Sequence, residues 1–143
     1  MNIDRAVLVP KFDAILARGL CVGVGNRDGQ MCIEAAICAA LDLPQGDDPE
    51  CVSPDVRTFK ITLNDAPWSS SIARATGLRD LGLAQIGSRG TQIDRLFMPA
   101  ITRKTIQRVI PDLFRKVFQE NEACLKAADD CEREGTTASA AEA

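Results

Sequence analysis

The chain contains no histidine and no tyrosine among its 143 residues. Without an imidazole group, Ser–His and Cys–His nucleophilic catalysis, histidine metal ligation and the commonest general base are all excluded. The missing tyrosine removes one further proton donor. An enzyme built from this sequence would therefore depend on carboxylates, cysteine, lysine, arginine or a cofactor, and no complete cofactor motif is present, so we predict no cofactor.

The sequence also lacks long apolar runs and an excess of positive charge. Its opening segment, MNIDRAVLVP, holds one apolar run, AVLV, which is too short for a secretory signal or a membrane span. The net charge of -3 is not typical of a chain that neutralises nucleic-acid phosphates. We therefore expect a cytoplasmic protein with neither a membrane nor a nucleic-acid partner.

Cysteine, in contrast, is abundant. Six are present, at positions 21, 32, 38, 51, 124 and 131. In a reducing cytoplasm these side chains stay free thiols. Their spacing contains no CxxC pair, and no histidine is available to complete a mixed ligand set, so we predict no metal site.

Hydrophobic periodicity predicts an all-α fold, a single compact domain of five or six short helices. The segment from Gln30 to Leu41 is apolar on nearly every side, which is typical of a central helix. Pro10 and Ser70 are each expected to open a further helix. Ser53-Pro54-Asp55 is a helix start signal, although alternation in residues 56–64 leaves an α+β alternative with a short strand there.

The C-terminal third is amphipathic and divided by charge. An apolar face with helical spacing extends from Ile106 to Phe118, and Pro111 should kink the helix or restart it. Five cations accompany it, at positions 103, 104, 108, 115 and 116. Acidic residues dominate after position 118. We therefore expect one globular helical domain over 1–118, an acidic helical extension over 119–134 and a disordered tail over 135–143.

A glycine-rich segment, GVGNRDG, occupies residues 23–29. It is one residue longer than the dinucleotide fingerprint and follows no convincing strand, so a phosphate-binding loop is the less favoured interpretation. The favoured one is a sharp turn, with Asp28 capping the next helix. Asn26, Asp28 and Gln30 are nevertheless candidate partner-binding residues.

Gly29-Gln30-Met31-Cys32 looks like the start of the catalytic helix in papain-like proteases. A helix N-terminus lowers the pKa of a thiol there. No histidine is available to pair with the thiolate, so the mechanism lacks its base and its acid. A buried core cysteine is the favoured interpretation of Cys32.

Glu34 is the only carboxylate in the apolar helix. Burying it is costly unless it is paired, so it should have a partner or line a cavity. The structural interpretation is a salt bridge to Arg57, Arg74 or Arg79. The functional one is an acid of raised pKa that shares a pocket with Asp65.

The segment LNDAPWSS, residues 63–70, joins two predicted helices and contains the only tryptophan. In a structural interpretation Asn64 and Asp65 end the first helix and Trp68 packs over the junction. In a functional one Trp68, Arg74 and Arg79 form a recognition patch, because these residue types are enriched at interface hot spots.

Three segments together resemble a family of small bacterial and phage proteins. They are GLCVGVGNRDGQMCIEAAICAAL, LNDAPWSS and RATGLRDLGLAQIGS, and the resemblance covers about residues 17–88. It implies a bacterial or phage cytoplasm and an accessory role. No activity attaches to that family, so the resemblance implies no catalytic residue.

These observations favour a small cytoplasmic binding or adaptor protein that acts through protein–protein contacts. Loops 23–30 and 64–70 would form one surface if they meet, and the basic helix 103–116 would form another. The alternative is a small enzyme or small-ligand binder that uses Glu34, Asp65 and Cys32 with arginine anchors. A homo-oligomer formed through the apolar face of residues 106–118 is a further possibility.

Overall fold

The computed structural model describes residues 3–141, and this part of the chain is all-α, as predicted. Its helices are α1 (Arg5–Leu16), α2 (Ile33–Ala40), α3 (Pro54–Asp65), α4 (Ser71–Gln85), α5 (Gln92–Lys104), α6 (Ile110–Val117), α7 (Glu122–Glu134) and α8 (Thr137–Ala141). A π-helical turn, Thr105–Val109, separates α5 from α6. Helix α3 covers residues 56–64, so the strand alternative for that segment is wrong.

The chain divides into two compact units, Met1–Asp94 and Arg95–Ala143. The division falls in the first turn of α5 rather than after residue 118, where the composition changes. Helix α7, predicted as an extension, packs against α6 and belongs to the second unit. The tail predicted to be disordered contains α8, and its last two residues lie outside the described part of the chain.

The first unit is built around α2, as its apolar sequence predicts. Six of the eight residues of α2 are apolar and buried, and Glu34 is buried with them. Helices α1, α3 and α4 all pack against it. The helix begins at Ile33 rather than Gln30, because Met31 is in extended bridges with Leu20 and Gly25.

Helix α1 begins earlier than predicted. Its N-cap is Asp4, whose carboxylate accepts a hydrogen bond from the Ala6 amide at 2.9 Å. Pro10 therefore lies inside the helix rather than at its first turn. The backbone bond that Pro10 cannot donate would go to the carbonyl of Ala6, and Ala6 is exposed, which limits the cost.

Helix α4 begins as predicted, with Ser70 as N-cap accepting from the Ala73 amide at 3.0 Å. Its buried residues are Ala75, Leu78, Gly82 and Gln85. Gly82 allows a close approach, because a Cβ built there would lie 2.8 Å from Cζ of Phe12. The glycine thus lets the aromatic ring of Phe12 pack closely against α4.

The second unit is organised by α7, which packs along α6 and the π turn. Pro111 has no N–H to donate to the carbonyl of Gln107, and the preceding turn accommodates this loss with a bond from the Ile110 amide to the Thr105 carbonyl. That turn contains one residue more than an α-helical turn. Consequently Ile106 is buried, whereas Val109, three positions later, is exposed.

Candidate functional site

Glu34 has a buried cation as its partner, and that cation is Lys60. Nζ of Lys60 lies 2.9 Å from Oε1 of Glu34, and Nε2 of Gln85 donates to Oε2 at 2.9 Å. The side chains of Glu34 and Lys60 are both 0% exposed. The prediction of an ion pair is therefore confirmed, but the predicted arginine partner is wrong, because the buried face of α3 presents a lysine.

Burial dominates the electrostatics of this cluster. It raises the pKa of Glu34 and lowers the pKa of Lys60 to about 8, although each charge acts to stabilise the other. The contact is an ion pair without hydrogen-bond geometry, and in residues 3–141 Nζ of Lys60 and Oε1 of Gln85 have no hydrogen-bond partner. The cluster joins α2, α3 and α4 and is incompletely satisfied.

Two of the three predicted arginine partners are paired elsewhere. Arg57 binds Oδ1 of Asp47 at 2.8 Å, in the loop before α3. Arg79 binds both carboxylate oxygens of Asp13, at 2.7 and 2.9 Å, and this bond lowers the pKa of Asp13. Both pairs connect a helix to a neighbouring segment of the first unit, and neither gathers around Glu34.

The chain just before the glycine segment contacts the end of α3 and the start of α4. Nδ2 of Asn64 donates to the carbonyl of Cys21 at 2.9 Å, and Nη1 of Arg74 donates to the carbonyl of Leu20 at 2.9 Å. The amide of Leu20 donates in turn to the carbonyl of Ser71 at 3.1 Å. The chain around residues 20 and 21 is thus held by the end of α3 and the start of α4.

Two of the three binding residues predicted around the glycine segment, Asn26 and Gln30, bond to the backbone of the first unit. Oδ1 of Asn26 accepts from the Gly29 amide at 2.6 Å, and Nε2 of Gln30 donates to the carbonyl of Arg18 at 2.8 Å. Asp28 is exposed. Gly25 has φ of 67°, and a Cβ there would lie 2.2 Å from the Gln30 carbonyl oxygen. This geometry supports the turn interpretation rather than a phosphate loop.

The second loop likewise shows structural contacts. Nε1 of Trp68 donates to the carbonyl of Leu63 at 2.9 Å, and its ring lies against Gly77, where a Cβ would come within 2.5 Å. Asp65 is exposed and accepts from Nδ2 of Asn64 at 2.8 Å. Glu34 lies in the core and Asp65 at the surface, so these two carboxylates do not face one pocket.

Cys32 is the N-cap of α2, where its Sγ accepts a hydrogen bond from the Ala35 amide at 3.4 Å. The residue is buried, and desolvation raises the pKa of its thiol. A nucleophilic cysteine requires the opposite shift. The buried-core interpretation of Cys32 is therefore confirmed.

The thiols should differ in reactivity according to burial. In native protein at pH 8, we expect iodoacetamide to leave Cys32, Cys38 and Cys131 unmodified, because all three are buried. Burial also raises the pKa of Cys38 to about 11, so little of it is thiolate. Peptide mass spectrometry checks this, with urea-unfolded protein as the control. Labelling of Cys32 before the partly exposed Cys21 would contradict it.

In the second unit, the predicted apolar face of residues 106–118 is split in two. Ile106 is buried and Phe114 half-buried. Val109, Leu113 and Val117 are spaced by four residues and are 59%, 54% and 59% exposed. We call these three residues the α6 stripe. Helix α7 packs along α6 without covering the stripe, so three large apolar side chains are presented in one row.

Cations accompany the α6 stripe. Arg108 and Lys116 precede Val109 and Val117 in the sequence, are exposed, and take part in no ion pair among the residues that the structure describes. Arg103 and Lys104, one and a half turns earlier, are exposed and unpaired in the same way. Arg115 differs, because it binds Asp129 and Glu132 of α7 at 2.7 and 2.5 Å.

Comparison with family models, with curated proteins and with solved structures finds no match to this chain. Membership of the bacterial and phage family therefore stays a prediction. In residues 3–141 the cysteines and carboxylates form no group of three that could hold a metal ion. Within the same residues, every helix is too short or too polar to cross a membrane.

Proposed function

We propose that this chain is a small binding or adaptor protein that acts through protein–protein contacts. The α6 stripe supports this proposal, because three aligned apolar side chains remain more than half exposed on a helix whose other side is packed. Contiguous exposed apolar surface of this kind marks interaction sites. The resemblance over residues 17–88 adds a bacterial or phage cytoplasm as the expected setting.

The contacts of the first unit favour binding over catalysis. The enzyme alternative requires Glu34, Asp65 and Cys32 to act on one ligand. Glu34 is instead engaged by Lys60 and Gln85 in the core, Asp65 is exposed, and Cys32 caps α2. Glu34 and Cys32 thus contribute to the packing of this unit, and Asp65 lies apart from them, which leaves the surface of the second unit as the better supported site.

A photo-cross-linking experiment in the cells that produce this protein tests the proposal. The cross-linking amino acid benzoylphenylalanine is placed at Leu113, and at Lys126 of α7 as the exposed control. We expect a discrete adduct of higher mass from position 113, weakened at least tenfold when Val109 and Val117 are changed to glutamate. Failure to form an adduct at position 113, or equal adducts at both positions, would contradict the proposal.

A further inference from the structure

We propose that the α6 stripe receives an acidic amphipathic helix from a partner protein. This inference rests on the proposed function and adds the chemistry of the partner. The apolar side chains of the partner helix would contact Val109, Leu113 and Val117, and the carboxylates of that helix would pair with Arg108 and Lys116. Helix-in-groove and helix-on-helix recognition use this combination of apolar anchors and flanking charges.

The charges beside the stripe indicate which sign the partner carries. Arg108 and Lys116 have the same eight-residue spacing as Val109 and Val117, so they flank both ends of the apolar row. Both are unpaired among the described residues, whereas Arg115 on the side of α7 is neutralised. Arg115 is thus engaged by α7, whereas the cations beside the stripe remain available.

The length of the stripe fits one short helix. Val109 and Val117 are eight residues apart, which corresponds to about 12 Å along an α-helix. A partner helix would cover that length with apolar residues at positions i, i+4 and i+7 or i+8. The additional cations Arg103 and Lys104, at the end of α5, extend the positive potential beyond the stripe. A longer acidic helix would therefore gain further attraction at its end.

A second copy of this chain is a poorer occupant, because the stripe would meet its own charges. In an antiparallel pair centred on Leu113, Arg108 of one copy approaches Lys116 of the other, and Asp112 approaches Asp112. In a parallel pair in register, the cations of the two copies lie on opposite sides of the seam, beside Ile110 and Phe114 of the other copy, and gain no carboxylate partner. Like charges placed opposite each other at an interface oppose association.

An anionic lipid surface fits less well than a helix. Asp112 lies between Arg108 and Lys116 in the sequence, and Glu120 and Glu122 follow the stripe; Asp112 and both glutamates are exposed. Phosphate headgroups would repel these carboxylates. A protein helix avoids this, because it can place a cation or a neutral residue opposite Asp112 and carboxylates opposite the two cations.

Fluorescence anisotropy with three synthetic peptides tests the inference on the full chain. The peptides are 18-residue alanine-based helices with the same leucine stripe and with glutamate, glutamine or lysine in the flanking positions. We expect the glutamate peptide to bind about tenfold more tightly than the other two in low salt, and to weaken in high salt. Leu113→Glu should abolish this binding.

The charge-reversed variant Arg108→Glu/Lys116→Glu provides the decisive control. Its preference should change to the lysine peptide, a result that nonspecific adhesion to the leucines would not produce. Circular dichroism of each variant confirms that the fold is retained. Failure of the glutamate peptide to bind, equal binding of the glutamine peptide, or an unchanged preference in the variant would overturn the inference.

Two further measurements test the other occupants. The first is binding to phosphatidylglycerol vesicles. If the protein binds these vesicles but not the glutamate peptide, and Leu113→Glu abolishes the vesicle binding, the occupant of the stripe is a lipid surface and the inference is wrong. The second is sedimentation of the protein in solution. If the protein sediments as a dimer and Leu113→Glu dissociates that dimer, the occupant is a second copy of this chain and the inference is wrong. If the peptides fail but a protein is still cross-linked at position 113, the inference is wrong and the proposed function stands. If that cross-link is also absent, the proposed function fails as well.

Discussion

Replacing Lys60 by methionine should lower the free energy of unfolding of the first unit by about 3–5 kcal/mol. The change leaves Glu34 in the core without its cation, with Gln85 as its remaining partner. An uncompensated buried charge is among the most costly defects a folded protein can carry. Urea denaturation followed by circular dichroism measures the loss.

The double variant Glu34→Gln/Lys60→Met should recover most of that stability. It removes both charges together and keeps a carbonyl oxygen at position 34 to accept from Gln85. Replacing a buried ion pair by uncharged groups of similar volume is often neutral or stabilising. A double variant as unstable as Lys60→Met alone would show that the charge pair does not cause the defect.

The pair should also leave a signature in the pH dependence of stability. The pKa of Lys60 is lowered to about 8 from its ordinary value of 10.5, so between these values the unfolded chain holds a proton that the folded chain has lost. Stability therefore rises with pH across that range. The pKa of Glu34 is raised above its ordinary value of 4.5, so between these two values the folded chain holds a proton that the unfolded chain has lost. Stability therefore rises as the pH falls through that range. Both slopes should disappear in the double variant.

Asn64→Ala should cost about 2–4 kcal/mol, because one buried amide group satisfies two backbone segments. Oδ1 of Asn64 accepts from the Ile33 amide at 3.2 Å, and Nδ2 donates to the carbonyl of Cys21 at 2.9 Å. Alanine leaves both backbone groups without that partner. Hydrogen exchange of the Ile33 amide should accelerate, which distinguishes loss of this bond from general destabilisation.

Thr62→Ala is the matched control for Asn64→Ala. Thr62 lies on the same helix and is exposed, and its hydroxyl donates to the carbonyl of Thr58 one turn earlier. We expect its substitution to change stability by less than about 0.5 kcal/mol. If Asn64→Ala cost no more than Thr62→Ala, the bonds from Asn64 to Cys21 and Ile33 would not be stabilising the first unit.

Features that depend on one turn of chain could be predicted from the sequence. Ser70 caps α4, and Pro54 opens α3, because a helix start is decided by a few neighbouring residues. The central position of α2 also follows from its composition alone. The division after Asp94 was missed, because it depends on which helices pack together rather than on a change in composition.

The need for a partner at Glu34 could be predicted, but the identity of that partner could not. Choosing it requires the rotation of α3 about its axis, which is set by packing. The apolar residues Val56, Phe59 and Leu63 fit one helical face, whereas the buried residues are Val56, Lys60 and Asn64. Their spacing by four, with a lysine between two inward positions, is the signal that sequence analysis could have used.

The split of the C-terminal apolar face was missed for a different reason. A periodicity of 3.6 residues places Ile106, Leu113 and Val117 on one side of a regular helix. The π turn shifts the phase after Ile106, so that residue is covered and the other two are exposed. Pro111 was correctly associated with an irregularity, but the sequence does not state by how much a helix rotates there.

The direction in which the α6 stripe faces depends on the π turn at Thr105–Val109. The turn contains one residue more than a regular α-helical path requires. The same residues wound as a regular α-helix would place Val109, Leu113 and Val117 about 100° further round the helix axis relative to α5. The side of α6 that carries the stripe is therefore decided by how one residue is wound in the turn, with every apolar side chain unchanged.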